Sequence, residues 1–298
     1  MHLEHPYSEL AGGQWLRGNL HAHTTNSDGG RATQAVIDDY ASRGYGFLMI
    51  SDHDIYTSCE ELSQYNAGDL ILIPGNEVSA HGPHMLHVYA DRLVKADPLR
   101  QQVINDITAS QGFCVVNHPN WQNTFDHCPT TSMQQWIGYA GLEIFNGVIG
   151  RLEGSPYATN KWDMLLSAGR RLWGFANDDS HAATGDVALG WNTAYITEPN
   201  VGGVNEALEQ GRFYASTGVT IESIVVEGMS IRIETANARR IVALTNQGQR
   251  VAMTDANGIE LDASNQVHRH YQPHTYVRFE CWGDGESFAW TQPFFVVL

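Results

Sequence analysis

Membrane-spanning hydrophobic runs are missing from this 298-residue chain: no stretch approaches the roughly 18 consecutive apolar residues that a helical span needs. The opening residues, Met1-His2-Leu3-Glu4-His5-Pro6, lack the basic start and apolar stretch of a secretory leader, so a cytoplasmic protein is expected. Cysteine is scarce too. Cys59, Cys114, Cys128 and Cys281 form no C-x-x-C pair and no disulfide-framework spacing, which argues for reduced thiols. Cys114, within Phe113-Cys114-Val115-Val116, reads as a small buried hydrophobe rather than a nucleophile. Basic residues are few, 17 Lys and Arg against 33 Asp and Glu, and the formal charge of −16 argues against extended tracking along nucleic acid. Internal repeats and low-complexity tracts are also lacking. A 42% apolar fraction over this length suits one large α/β domain with a small companion. What is abundant is histidine, 14 residues, many of them in short motifs.

Between Gly18 and about Thr217, short apolar runs alternate with helical stretches, the pattern of repeated β-α units around a parallel sheet or barrel. A helix is expected from about Thr33 to Arg43, stopped by Gly44 at a left-handed C′ position, ahead of a strand at Phe47-Leu48-Met49-Ile50. Asp97 and Pro98 read as N-cap and first residue of a helix carrying Val103, Ile104 and Ile107, which ends at Gly112 and feeds a strand from Phe113 to Val116. Later strands are expected from Leu142 to Phe145 and from Leu172 to Ala176. Beyond about Gly218 the texture changes to alternating strands such as Ser230 to Glu234 and Tyr276 to Glu280, a small all-β domain. The expected domains are 1–218 and 219–298.

Ligand-type residues recur where these strands end. In Asn19-Leu20-His21-Ala22-His23, followed by Asp28-Gly29, alternate strand residues share a face, so both imidazoles can reach one ion. Ser51-Asp52-His53-Asp54 offers His53 as a ligand, with Asp52 or Asp54 as acceptor of its other ring N–H; the same acids are ordinary strand-ending turn residues. The run Leu70 to Ile73 leads to Glu77, a carboxylate suited to bridging. His87 lies in the strand-like His84-Met85-Leu86-His87-Val88-Tyr89 and is preferred to His81 and His84, which lie in a Gly-Pro loop. Phe113 to Val116 ends in Asn117-His118-Pro119, and Leu172 to Ala176 leads to Asp179-Ser180-His181. Each motif alone has an ordinary structural reading. Because chemistry in β/α barrels gathers at the C-terminal ends of strands, their repetition at that position makes the joint signal.

The order His21-x-His23, Asp28-Gly29, Asp52-His53, Glu77, His87, His118-Pro119 and Asp179-x-His181 resembles the PHP (polymerase and histidinol phosphatase) domain over about residues 15–217. Gly18-Asn19-Leu20-His21-Ala22-His23, Gly211-Arg212-Phe213-Tyr214-Ala215 and Trp290-Thr291-Gln292-Pro293 resemble its CehA/McbA branch. The resemblance implies a distorted (β/α)7 TIM-like barrel, followed here by a β-sandwich-like region, and two or three divalent metal ions. By that resemblance His21, His23, Glu77 and Asp179 hold one ion, Glu77 bridges to a second held by His87 and His118, and Asp28, His53 and His181 hold a third. Asn177-Asp178-Asp179 departs from the commoner Gly-Ser-Asp wording and leaves Asp178 as an alternative to Asp179, which the x-His spacing favours.

Imidazole and carboxylate without thiolate leave Zn, Mn and Fe open. A water on such a site loses its proton at a pKa of about 7 and is the expected nucleophile, so His21, His23, Glu77 and Asp179 would act catalytically through it. Arg31 and Arg151 are expected on top-face loops where a guanidinium can clamp phosphate, with Trp121 and His84 as further substrate contacts. The expected function is a phosphoesterase acting on small phosphomonoesters or phosphodiesters. Carbamate or carboxylic ester hydrolysis of the CehA/McbA type is the alternative, and a non-catalytic PHP module is disfavoured by the full ligand set. The expected partner is a small-molecule ester, with neither extended nucleic acid nor membrane.

Overall fold

The computed structural model describes residues 1–8, 10–265 and 276–298. The helix Thr33–Ser42 buries Thr33, Val36, Ile37 and Tyr40, the spacing of one helical face. It ends in a Schellman arrangement: Gly44, at φ +74°, donates its N–H to Ala41 O at 3.0 Å, and Tyr45 donates to Tyr40 O at 3.2 Å. The helix expected from Asp97 starts later, at Arg100–Thr108 with Leu99 at its N-cap. Asp97 Oδ1 accepts the Leu99 N–H at 2.7 Å, so it closes the preceding turn instead of capping the helix.

In the largest sheet, Gln14–Asn19, Phe47–Met49 and Ile71–Ile73 pair in parallel. From Gln14–Asn19 the same sheet continues antiparallel through Trp191–Ile196, Phe213–Ser216, Phe288–Thr291 and Tyr276–Trp282, and reaches 11 strands. Its ladders therefore run across the expected boundary near Gly218. A second sheet joins Gly75–Val78, Met85–Val88 and Phe113–Val116 antiparallel, then Gly141–Asn146 and Trp173–Asn177 in parallel. The third holds Ile221–Glu227, Ser230–Thr235 and Gly258–Asp262. Within Ser230–Thr235, Ile231, Ile233 and Thr235 are buried while Arg232 and Glu234 are exposed, the two-residue period of a half-buried strand.

The architecture is mixed α/β with a strand-built C-terminal region. Among the described residues the ladders do not close into a barrel. Pro74, which has no N–H, breaks the run 71–78: Ile71–Ile73 stays beside Phe47–Met49, and Gly75–Val78 turns to pair with Met85–Val88. The first two sheets instead meet at isolated bridges, His53 with Glu77 and Ala22 with Ser180.

Buried polar contacts lock the C-terminal strands onto this frame. Arg278 forks onto Asp163 of the helix Thr159–Ser167 at 2.7 and 2.6 Å, and the Tyr276 hydroxyl donates to the same carboxylate at 2.6 Å. The Gln292 side chain both donates to and accepts from the Gly174 backbone, at 2.9 Å each way. Gly174 lies in Trp173–Asn177, the strand that leads to Asp179. All four cysteines are free, and no helix among the described residues is long and apolar enough to cross a membrane.

Candidate metal centre

His21 and His23 follow the strand Gln14–Asn19, and Ala22 between them packs into the core. Their backbone is fixed from both sides: Ala22 N–H donates to Ser51 Oγ at 3.0 Å and His23 N–H to Ser180 O at 2.9 Å. Glu77 lies within Gly75–Val78. His118 and Asp179 follow the strands Phe113–Val116 and Trp173–Asn177 at φ 27° and 55°, a conformation that non-glycine residues rarely adopt and that clusters at functional sites.

Glu77 is the hub of the cluster. Its Oε1 lies 3.3 Å from His21 Nε2, 3.2 Å from His84 Nδ1 and 3.4 Å from His118 Nε2. Its Oε2 lies 2.7 Å from His53 Nδ1 and 3.6 Å from His23 Nε2. Asp179 Oδ1 stands 3.1 Å from both His21 Nε2 and His23 Nε2. On the solvent side Asp28 reaches His53 Nε2 at 3.6 Å and His181 Nε2 at 3.4 Å.

Buried polar atoms are normally hydrogen-bonded. Here His21 Nε2, both ring nitrogens of His23, His53 Nδ1, His84 Nδ1, Glu77 Oε2 and Asp179 Oδ1 have no hydrogen-bond partner among the described residues despite crowding together. Tautomers explain why. His21 Nδ1 donates to Glu143 Oε1 at 2.7 Å, which leaves the Nε2 lone pair facing Glu77 and Asp179. His181 Nδ1 donates to the Asp179 carbonyl at 2.8 Å, which leaves its Nε2 bare towards Asp28. Lone pairs and carboxylate oxygens aimed at one another repel unless a proton or a cation lies between them, and a crowd of several such donors fits divalent cations. Donor atoms within 4.8 Å of one another group as His21, His23 and Asp179; His21, Glu77 and His118; His53, Glu77 and His84; and His23, Asp28, His53 and His181.

Taken by themselves, these groups ionise far from their ordinary values. Burial would lower His21, but Asp179, Glu143 and Glu77 outweigh it and hold the imidazole well above the usual histidine range. Burial would raise Glu77, yet His21 and His84 hold it well below the usual carboxylate range, and His21 and His23 do the same for Asp179.

Of the expected ligands, His21, His23, Asp28, His53, Glu77, His118, Asp179 and His181 come together, and His87 does not. His87 Nε2 bonds Ser110 Oγ at 2.8 Å and donates to Gln111 O at 3.2 Å. Strand parity is the reason. The hairpin register pairs Asn76 with His87 and Glu77 with Leu86, which turns His87 to the face opposite Glu77. His84, two residues before Leu86, falls on the Glu77 side.

Other expectations need correction. Neither Asp52 nor Asp54 accepts from His53. Asp52 takes Thr24 N–H at 2.8 Å and the Thr24 and Ser27 hydroxyls at 2.7 Å, and Asp54 takes Ser79 N–H, Ser79 Oγ and Ala80 N–H at 3.0–3.1 Å. Both serve as turn organisers. Asp178 accepts the Tyr40 hydroxyl at 2.9 Å and the N–H groups of Ala188, Leu189 and Gly190, and burial pushes its carboxyl up to about 6. Arg31 is committed to Asp39 at 2.6 Å and Ser180 Oγ at 3.3 Å and does not line the cavity above the cluster. That cavity, of about 270 Å³, is walled by Trp121, Val148, Ile149 and Leu152 and by Arg151, which forks onto Asp186 at 3.0 and 2.7 Å.

Sequence reading missed three supporting residues. Glu143 accepts from His21, the His118 N–H, Asn146 and Asn177, and an acid inside the apolar run Leu142 to Phe145 was the available signal. His127 Nε2 accepts the His84 N–H at 3.1 Å. Lys161, nearly fully buried, donates to the carbonyls of Pro119 and Cys128 at 2.9 and 2.8 Å and to Asp126 at 2.7 Å, and so clamps the loop that carries Trp121 and His127. Nothing in the spacing of the last two marks them.

No family model and no curated protein sequence matches the chain. Among solved structures, a two-domain protein of Bacteroides vulgatus containing a predicted PHP-like metal-dependent phosphoesterase aligns with 100% of this chain and 98% of its own, at a TM-score of 0.56 and 16% identity. The chain shares that protein's PHP-like fold. A candidate metal-dependent phosphoesterase of Bifidobacterium adolescentis covers 65% of the chain and 96% of its own at TM-score 0.44 and 16% identity. An amidohydrolase of Chromobacterium violaceum, solved with sulfate and no metal, covers 57% and 89% at TM-score 0.40 and 15% identity. Neither of these two is near enough to add to the PHP-like assignment of the fold.

Proposed function

We propose that the chain is a metal-dependent hydrolase of small-molecule esters, with phosphoesters as its leading substrates. The observation that carries this reading is the set of unpaired imidazole nitrogens and carboxylate oxygens facing one another at the floor of an open cavity. His21, His23, Glu77 and Asp179 would hold one cation, Glu77 with His84 and His118, both near its Oε1, a second, and Asp28, His53 and His181 a third, with Zn, Mn or Fe suited to the donors. Such cations, when bound, supply Lewis acidity and a water that ionises near neutral pH.

The protein's own groups orient and shield. Glu143 keeps His21 in the tautomer that presents Nε2, and Asn117 Nδ2 holds Glu77 Oε1 at 2.6 Å. Trp121, Val148, Ile149 and Leu152 keep water from the organic part of the ester. The reading includes one distorted β/α barrel made by those strands of the first two sheets that lie within 1–218, with 219–298 as the companion domain. By fold analogy, the description of the Bacteroides vulgatus neighbour favours phosphoesters over other substrates.

A second reading, carbamate or carboxylic ester hydrolysis, is favoured by one observation: the only guanidinium that lines the cavity among the described residues, that of Arg151, is already neutralised by Asp186. Turnover of p-nitrophenyl phosphate, bis(p-nitrophenyl) phosphate, p-nitrophenyl acetate and an aryl N-methylcarbamate at matched metal loading decides between them. Faster phosphoester turnover is expected. The reverse order moves the assignment to the second reading, and no turnover of any ester by the cation-loaded protein contradicts both.

A further inference from the structure

A second cavity, of about 430 Å³, opens on the far side of the short turn Val148–Arg151. Val148 and Ile149 face the cavity over the cluster, Gly147 and Gly150 face the second, and Arg151 lines both. The partition is therefore one turn and one ion pair. Asp186, besides taking Arg151, accepts the N–H groups of His181 and Ala182 at 3.1 and 2.7 Å, so the same carboxylate joins the partition to the loop that starts at His181.

The second cavity has a mixed lining: Phe145, Pro156, Tyr157 and Leu189 supply apolar wall, and Arg151, Asp186 and Thr217 polar wall, while Glu286 and Ser287 form a polar rim. That rim lies in the turn between the C-terminal strands Tyr276–Trp282 and Phe288–Thr291. With Arg151 paired to Asp186, no lining residue of either cavity, among the described residues, contributes an uncommitted Lys or Arg charge, and Asp28, Asp179 and Glu286 add negative charge around them.

We infer that this cavity is a second subsite, which receives the other organic arm of an ester whose central group lies at the cluster beside Arg151. The inference rests on the proposed ester-hydrolase reading of the cluster and narrows it: the favoured substrate is a phosphodiester with two uncharged arms, at least one aromatic, over a phosphomonoester. Space is the first argument. The cavity over the cluster, about 270 Å³, falls just below the roughly 300–1,000 Å³ of ordinary ligand sites, and a monoester would leave the larger adjoining space unused. Charge is the second, because a diester monoanion meets less repulsion than a monoester dianion in an acidic surround. Trp121, Phe145 and Tyr157 supply ring faces for aromatic arms on the two sides of the turn.

Isothermal titration of the full-length, zinc-loaded protein with diphenyl phosphate and phenyl phosphate tests this directly. Gly150 is the position to alter, since an added Cβ there meets no atom of the described residues within 4 Å. The wild type should bind diphenyl phosphate at least about tenfold more tightly than phenyl phosphate. Gly150→Leu should weaken diphenyl phosphate at least about fivefold more than phenyl phosphate, and Gly150→Ala should act in the same sense more mildly. Equal wild-type affinities, or equal losses for both ligands, overturn the subsite. Hydrolysis is scored apart: a Gly150-dependent diester preference without cleavage of either p-nitrophenyl phosphate ester sinks the phosphoesterase reading alone. Cleavage with equal affinities sinks the subsite alone.

Discussion

The Glu143 carboxylate accepts His21 Nδ1 at 2.7 Å on one oxygen and the His118 N–H at 2.8 Å on the other, so one buried acid orients two residues of the cluster from behind. Asn146 and Asn177 complete its coordination at 2.7 and 2.9 Å. All four neighbours donate, which only a carboxylate can satisfy throughout.

Glu143→Gln sets an N–H₂ against at least one of those donors and weakens the hold on the His21 tautomer. Cation affinity should fall about 10–100-fold, and stability should drop by about 1–3 kcal/mol. Titration with Zn²⁺ and thermal unfolding read the two effects. Wild-type affinity in a folded Glu143→Gln protein contradicts the orienting role.

The parity of the hairpin separates His84 from His87. His84→Ala should lower cation content or affinity, because it removes a donor 3.2 Å from Glu77. His87→Ala should leave cation content intact and cost at most about 1–2 kcal/mol of stability, from the lost contacts with Ser110 and Gln111. Elemental analysis of the two variants decides. The opposite pattern would return the ligand role to the strand residue.

Protons and cations compete at His21. Its pKa is raised, so the cation-free protein retains a proton there above the ordinary histidine range, and cation binding must displace it. Affinity should therefore rise with pH from about pH 6 to about pH 8, by up to roughly tenfold per unit for one displaced proton. Calorimetry in two buffers of different ionisation enthalpy should register proton release. Affinity independent of pH, with no proton release, contradicts the ionisation described for the cluster.

Much of the frame was legible because it follows local rules. The left-handed stop at Gly44 foretold the end of the first helix, whose buried face carries Val36, Ile37 and Tyr40, and apolar runs marked the strands leading to His53, His118 and Asp179. What failed depended on register and on side-chain competition. Preferring His87 ignored which face of the hairpin carries Glu77, a fact set by pairing with Met85–Val88 rather than by hydropathy. Asp52 and Asp54 were turn residues after all, as their hydrogen bonds to Thr24, Ser27, Ser79 and Ala80 record. Arg31 found Asp39, eight positions along the chain, before any ligand. The division of the run 71–78 between two sheets was out of reach, because the break at Pro74 redirects a strand through backbone chemistry that the apolar pattern on either side conceals.

The central claim is that the buried imidazoles and carboxylates around Glu77 hold more than one cation. Elemental analysis of the purified full-length protein, as isolated and after reconstitution with Zn, Mn and Fe, tests it most directly. The account predicts two or more equivalents of bound metal per chain, reduced by Glu77→Ala in a protein whose circular dichroism is preserved. A wild-type protein that stays at or below one equivalent with all three metals contradicts it.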